Sequence, residues 1–188
     1  VSPLMQINSV DKHNNLFSVS RIVSSELQEK ILATPWLKLS WQREQYQESW
    51  LRKKIDDKQL PWLNEWHRAI ELAMQEFTQL TGKNTRYRFI TAWWIDEPGF
   101  TVDIHTDGSL PGSMQIFWIG QPNLATKFYH DQQGQQLRLQ QQFMPNTGYI
   151  MLNLPSEDTG QPVLAWHGMP NPVPENTFRL CSRSEEHT

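Results

Sequence analysis

His105 and Asp107 stand one residue apart, across Thr106. On a strand, residues i and i+2 point to the same face, so an imidazole and a carboxylate placed this way can reach one ion together. His167 lies 60 positions beyond Asp107 and follows Ala165-Trp166 at the end of an apolar run. Two imidazoles and one carboxylate on one side of a divalent ion leave three coordination positions open on the other. Arg179 comes twelve residues after His167. A guanidinium group grips a carboxylate through two parallel hydrogen bonds. A dicarboxylate could therefore chelate the ion at one end and pair with Arg179 at the other.

A bare His-x-acid pair carries little weight. Six histidines and 20 acidic residues in 188 give roughly 0.6 such pairs by chance. Placement adds to it. Residues 100–105 read as a strand that His105 closes, and Asp107-Gly108-Ser109-Leu110-Pro111-Gly112 reads as the turn after it. A side chain at such a junction can face a cavity.

The elements that must position these groups are short strands. Residues 86–96, 100–105, 114–119, 127–130, 136–143, 148–154, 163–167 and 177–180 are apolar or β-prone runs separated by Gly, Pro, Asn and Asp. Asp131-Gln132-Gln133-Gly134 marks a hairpin turn. Short strands at regular spacing predict a sandwich or barrel. Trp93 and Trp94 fall on opposite faces of the first run, one for the core and one for the mouth. Two helices precede the strands and cover one outer face. Residues 16–19 read as a short strand. Ser25 and Gln28 fit a capping box that opens the first helix, with Pro35 stopping it. Residues 61–81 form the second, with Pro61 at its first position, a stripe of Trp62, Trp66, Ala69, Ala73, Phe77 and Leu80, and Gly82 as its stop. Residues 1–14 carry no structural signal, 38–59 stay unassigned, and the end after Arg179, LCSRSEEHT, is polar and unplaced. Arg52-Lys53-Lys54, answered by Asp56-Asp57, reads as a solvated face.

The order His-x-Asp, a distant His, then Arg a strand later resembles the Fe(II)- and 2-oxoglutarate-dependent oxygenases, in their prolyl-hydroxylase-like branch. Ala125-Thr126-Lys127-Phe128-Tyr129 is similar to that branch's Gly-Thr-x-Phe-Tyr segment, with its glycine replaced. Residues 145–153, PNTGYIMLN, are similar to the strand before the distal histidine. The likeness spans roughly residues 86–181. It implies a mainly β fold with flanking helices (α+β), a double-stranded β-helix or jelly roll, in one domain over residues 1–188. A helical part at about 15–82 would precede a jelly-roll core at about 86–181. It implies Fe(II) held by His105, Asp107 and His167, with 2-oxoglutarate as co-substrate contacted by Arg179, Tyr129 and Thr126. It also implies that 2-oxoglutarate and molecular oxygen are converted to succinate and carbon dioxide while an unactivated C–H bond is hydroxylated; the substrate, a small molecule such as a metabolite, free amino acid or nucleobase, or a protein side chain, is not readable from the sequence.

Simpler roles compete at several positions. Tyr87 and Tyr129 suit a rim or packed position as well as a hydroxyl donor to co-substrate, and Thr126 has the same two readings. His67 suits the edge of its helix, His130 an exposed turn, His13 and His187 the termini, and Cys181 a small core or edge site. Two other functions remain: a jelly roll that binds sugar or peptide without redox metal, and a cupin-type metalloenzyme, which would not need Arg179. A formal net charge of -3 and a pI of 6.1 supply no strong nucleic-acid footprint. No apolar run reaches the roughly 18 residues of a membrane span. The first twenty residues lack signal-peptide features, and one cysteine excludes an internal disulfide. The expected compartment is a reducing cytoplasm.

Overall fold

A computed structural model describes residues 4–84, 89–108 and 112–186. Tyr87, residues 109–111 of the Gly/Pro turn and His187 lie outside the described residues. In chain order the strands are β1 (Gln6–Asp11), β2 (Leu16–Ser20), β3 (Trp41–Tyr46), β4 (Ser49–Ile55), β5 (Phe89–Asp96), β6 (Val102–His105), β7 (Ser113–Ile119), β8 (Lys127–Tyr129), β9 (Leu137–Leu139), β10 (Thr147–Met151), β11 (Trp166–Met169) and β12 (Arg179–Glu186). Helix α1 is Ser25–Ala33 and α2 is Leu63–Thr81. One antiparallel sheet runs β1-β2-β10-β7-β12-β5-β4-β3, and a smaller one runs β6-β11-β8-β9. The two sheets enclose an apolar layer of Leu16, Phe100, Phe117, Phe128, Tyr149, Met169 and Cys181. This is the expected jelly roll with flanking helices.

The outer face of the large sheet is covered by the helices. Ile31 of α1 and Trp66, Ile70, Ala73, Met74 and Phe77 of α2 pack on Val19, Trp93, Ile95, Ile116 and Trp118. Five tryptophans meet there: Trp93 stacks on Trp36 and Trp118, with centroids 5.3 and 6.0 Å away, and lies 4.6 Å from Trp66 and 5.3 Å from Trp62. Such pairs add about 0.5–1.5 kcal/mol each beyond the area they bury. The helix ends differ from expectation by one or two residues. Ser24, not Ser25, caps α1, its hydroxyl accepting from the Leu27 N–H at 3.2 Å. The cap of α2 is Trp62, so Pro61 sits before the helix. Leu80 is exposed, and Ile70 and Met74 take its place in the buried stripe. Gly82 does end α2, at φ 72°.

Larger corrections lie in the first sixty residues and at the end of the chain. The part expected to be helical, about 15–82, also contributes three strands to the large sheet, and β1 comes from the stretch with no signal. The unassigned segment 38–59 is the β3–β4 hairpin, paired Tyr46↔Ser49 across Gln47-Glu48. That turn was illegible because Gln47 takes a positive φ of 53° where Gly or Asn is the usual mark. The polar end after Arg179 is β12, which lies inside the sheet between β5 and β7. Its serines are buried: Ser182 accepts from Trp118 Nε1 at 3.0 Å, and Ser184 lies 2.8 Å from Thr91 Oγ1. Polarity therefore masked a central strand. No helix among the described residues is long and apolar enough to cross a membrane.

Candidate metal centre

His105 ends β6, and His167 lies directly opposite it on β11 as its cross-strand partner. The sequence placed His167 at the end of an apolar run; it is the second residue of its strand. The two rings are tilted 53° to each other with centroids 4.5 Å apart. Asp107, two residues past the end of β6, turns back so that Oδ1 lies 3.3 Å from each Nε2. One donor atom from each of the three residues falls within 4.8 Å of the others. The rings are oriented by the same local device. His105 Nδ1 lies 2.7 Å from the Asp103 carbonyl, and His167 Nδ1 lies 2.8 Å from that of Ala165. A ring that donates Nδ1–H to a backbone carbonyl leaves Nε2 as the ligating atom. Asp107 Oδ2 accepts from Arg183 Nη2 at 3.1 Å, and Tyr46 Oη lies 3.4 Å from His105 Nε2.

Charge within the cluster follows from this geometry. Burial opposes ionisation of Asp107, but hydrogen bonds with His105 and His167 and the nearby Arg183 charge outweigh it and hold the carboxyl far below its usual range. The hydrogen bond to Asp107 raises the His105 pKa, against the opposing effect of burial. Below that raised value the ring carries a second proton, which must leave before Nε2 can bind an ion. The rise in melting temperature produced by Mn(II) should therefore grow as pH climbs above the ordinary histidine value of about 6.5 and the site loses its proton. For the metal-free protein the sign is opposite. A raised histidine pKa stabilises fully below about 6.5, and that contribution disappears as pH climbs through the folded value. A Mn(II) shift that is flat across this range would contradict the assignment of His105.

The donor cluster opens into a cavity lined by Tyr46, Arg52, Trp94, Gln115, Thr126, Phe128, Tyr149, Arg179 and Arg183, among others. Arg179 is 1% exposed. Its Nε donates to the Leu124 carbonyl and its Nη1 to Asp96 Oδ2, both at 2.9 Å, while Nη2 is buried without a hydrogen-bond partner. The Tyr149 hydroxyl is also buried and unpartnered. Thr126 Oγ1 donates to Gln115 Oε1 at 2.6 Å. Tyr129 does not line this cavity. It neighbours Phe128 on β8, so alternation sends its ring to the other side, beside Gly134. The tyrosines that do line it are Tyr46 and Tyr149. Trp93 goes to the helix-side core and Trp94 to the cavity, where its Nε1 donates to Glu44 Oε2 at 2.9 Å.

No family model and no curated protein matches this chain by sequence. Solved structures do match it. The non-haem alpha-ketoglutarate-dependent epimerase SnoN from nogalamycin biosynthesis superposes with a TM-score of 0.60 at 9% identity, over 92% of this chain and 77% of SnoN. The viral collagen prolyl hydroxylase of Paramecium bursaria Chlorella virus-1, solved with 2-oxoglutarate, gives 0.54 at 12%, over 90% and 94%. A Pseudomonas putida prolyl-4-hydroxylase gives 0.53 at 15%, over 94% of each chain. This chain has the jelly-roll fold of those oxygenases.

Within this fold, one cavity residue, Arg52, and its buried partner Asp96 were missed from the sequence. Arg52 was grouped with Lys53 and Lys54 as a solvated face, yet it is 4% exposed. Its Nε and Nη2 donate to Asp96 Oδ1 and Oδ2 at 2.7 and 3.2 Å, and its guanidinium lies 4.4–4.7 Å from the rings of Tyr46, Trp94 and Phe100. Asp96, fully buried, had looked like the last residue of the run 86–96, just before the Glu97-Pro98-Gly99 turn. Only the registers Arg52↔Asp96 and Asp96↔Arg179 reveal the pair, and cross-strand register is invisible without the fold.

Gly168 controls how closely the histidine strands approach. A Cβ there would meet the Val102 carbonyl oxygen at 2.8 Å and Ile104 backbone atoms at 3.1 Å. Gly168→Ala should separate β11 from β6, destabilise the fold by about 1–3 kcal/mol and weaken Mn(II) binding. Thermal unfolding and a Mn(II) titration would check both effects; unaltered metal affinity would show that this spacing does not set the site.

Proposed function

We propose that the chain is a non-haem Fe(II)- and 2-oxoglutarate-dependent dioxygenase that hydroxylates a small molecule or a protein side chain. The observation that carries this reading is the convergence of His105, Asp107 and His167 within 4.8 Å at one end of the cavity. The donor set suits the ion: two neutral imidazoles and one carboxylate favour a first-row divalent metal and leave a face open. The other end suits the co-substrate, because the buried Arg179 Nη2 has no protein acceptor. Such an orphan donor is unfavourable unless something accepts from it. A cupin-type site or a sugar-binding groove gives no reason for that arrangement.

On this reading His105 Nε2, His167 Nε2 and Asp107 Oδ1 hold Fe(II), and Arg179 receives the remote carboxylate of 2-oxoglutarate. Bound Fe(II) would supply the open positions at which the 2-oxo acid chelates and oxygen is reduced. Arg183 keeps Asp107 ionised and turned toward the histidines. Tyr46 is held protonated, because burial raises its pKa, and presents a hydroxyl beside His105. Thr126 and Gln115 satisfy each other on the cavity wall. The neighbours act in different ways, SnoN as an epimerase and the other two on prolyl groups, so the fold leaves the substrate open.

The described residues work as one unit in this proposal, since β2 and β10 pair directly across the sequence. A reducing, cytoplasmic setting goes with it, supported by a single cysteine whose thiol is buried and pushed up to about 11 by that burial. Purified protein given Fe(II), 2-oxoglutarate and oxygen should release succinate slowly without added substrate. Failure to bind 2-oxoglutarate in the Mn(II)-loaded state would reject the reading.

A further inference from the structure

Arg52, Asp96 and Arg179 form a row across β4, β5 and β12, each the cross-strand partner of the next. All three are buried, at 4%, 0% and 1% exposure. Two guanidinium groups therefore share one carboxylate: Arg52 takes both oxygens, and Arg179 Nη1 adds a third bond at Oδ2. The row carries a surplus of one positive charge away from bulk water. A buried charge without a counter-ion is strongly unfavourable. The aromatic faces of Tyr46, Trp94 and Phe100 offset part of it, but a ring is no substitute for an anion. Each arginine also keeps a free donor. Nη2 of Arg179 is buried without a partner, and the bonds of Arg52 to Asp96 use Nε and Nη2, which leaves Nη1 over for a ligand. Both residues line the same cavity.

We propose that Arg52 is a second anchor for the remote carboxylate of the co-substrate, so that this carboxylate is clamped between two guanidinium groups that Asp96 holds apart. The proposal rests on the oxygenase reading above. Charge favours this over a separate carboxylate on the substrate. One carboxylate brings the buried row to neutrality. At the metal end a divalent ion answered by Asp107 keeps one positive charge, which the chelating carboxylate of the same molecule cancels, and Arg183 has Glu185 beside it at 3.0 Å on the solvent side. A dianionic co-substrate closes both balances. The aromatic box on Arg52 and the Leu124 carbonyl on Arg179 fix both forks in place before the ligand arrives.

The test is calorimetry on Mn(II)-loaded wild type, Arg52→Gln and Arg52→Lys, each titrated with 2-oxoglutarate and with 2-oxobutyrate, which lacks the remote carboxylate. Arg52→Gln leaves Asp96 paired with Arg179, so no buried charge is stranded. It should weaken 2-oxoglutarate binding about 10- to 100-fold, the range for hydrogen bonds to charged groups, and leave 2-oxobutyrate binding unchanged. Arg52→Lys keeps the charge but loses the fork; it should show a smaller loss confined to 2-oxoglutarate, and it carries the test if the glutamine variant does not fold. An equal fall for both ligands, or no fall for either, would overturn the assignment while leaving the oxygenase reading standing. A wild type that binds no 2-oxoglutarate would overturn both. A crystal structure of the Mn(II) and 2-oxoglutarate complex should place a carboxylate oxygen within hydrogen-bond reach of Arg52 Nη1; water alone at that position would make Arg52 only a brace for Asp96.

Discussion

Asp107→Ala protein should bind Mn(II) or Fe(II) at least about a hundredfold more weakly than wild type and form no succinate above background. Truncating one partner of a buried, hydrogen-bonded charge pair typically weakens binding by roughly 2–5 kcal/mol, or about 30-fold to several thousand-fold in affinity. Here three effects act in the same direction. The anionic ligand itself is lost. The two histidines lose the carboxylate that sits 3.3 Å from each Nε2 and aligns them. Arg183 is left facing the site with its charge no longer answered by Asp107, and it repels an incoming cation. The fold should survive, because Arg183 still reaches Glu185 and the two Nδ1 bonds to backbone carbonyls are untouched. Circular dichroism and thermal unfolding would establish that, and a Mn(II) titration would give the affinity. Metal binding at wild-type strength in this variant would remove the three-ligand site and every step that depends on it.

How much of this was legible in the sequence depends on the range of the interactions involved. The His-x-Asp spacing is local, so alternation on a strand was enough to read it, and the strand–turn boundary at His105 lies where the residue types put it. The pairing of His105 with His167 is not local. It was supplied by resemblance and is explained physically only by the register of β6 on β11. Arg179 was visible for the same reason. Arg52 and Asp96 were not, because each sits among charged or turn-forming neighbours and its burial is set by strands far away in the chain. Tyr129 shows the converse error. Its motif position suggested a co-substrate contact, yet one step along β8 turns the side chain away, and Tyr46, from a hairpin without a turn signature, lies beside His105 instead. Local chemistry can be read one strand at a time; a charge row that crosses three strands cannot.

Arg179→Gln should leave metal binding intact and weaken 2-oxoglutarate binding by roughly 30-fold to several thousand-fold. That range corresponds to the 2–5 kcal/mol typical of removing one partner from a buried charge pair. The upper part is favoured by burial: Arg179 is 1% exposed, so water cannot replace the lost donor as it would at a rim. The substitution does not strand Asp96, which keeps both hydrogen bonds from Arg52. It does leave the Leu124 carbonyl without its Arg179 donor, and glutamine is too short to restore that bond and reach the ligand together. The loss should exceed that of Arg52→Gln, because Arg179 alone presents a fully buried, unpartnered donor. Calorimetry in the Mn(II)-loaded state separates the two equilibria: metal affinity stays at the wild-type value, since no nitrogen of Arg179 belongs to the donor cluster, and 2-oxoglutarate affinity falls. Equal 2-oxoglutarate affinity in the two proteins would remove Arg179 as the anchor. Arg183 could not easily replace it, because its Nη2 already holds Asp107 and any ligand bound there would compete with the metal site itself.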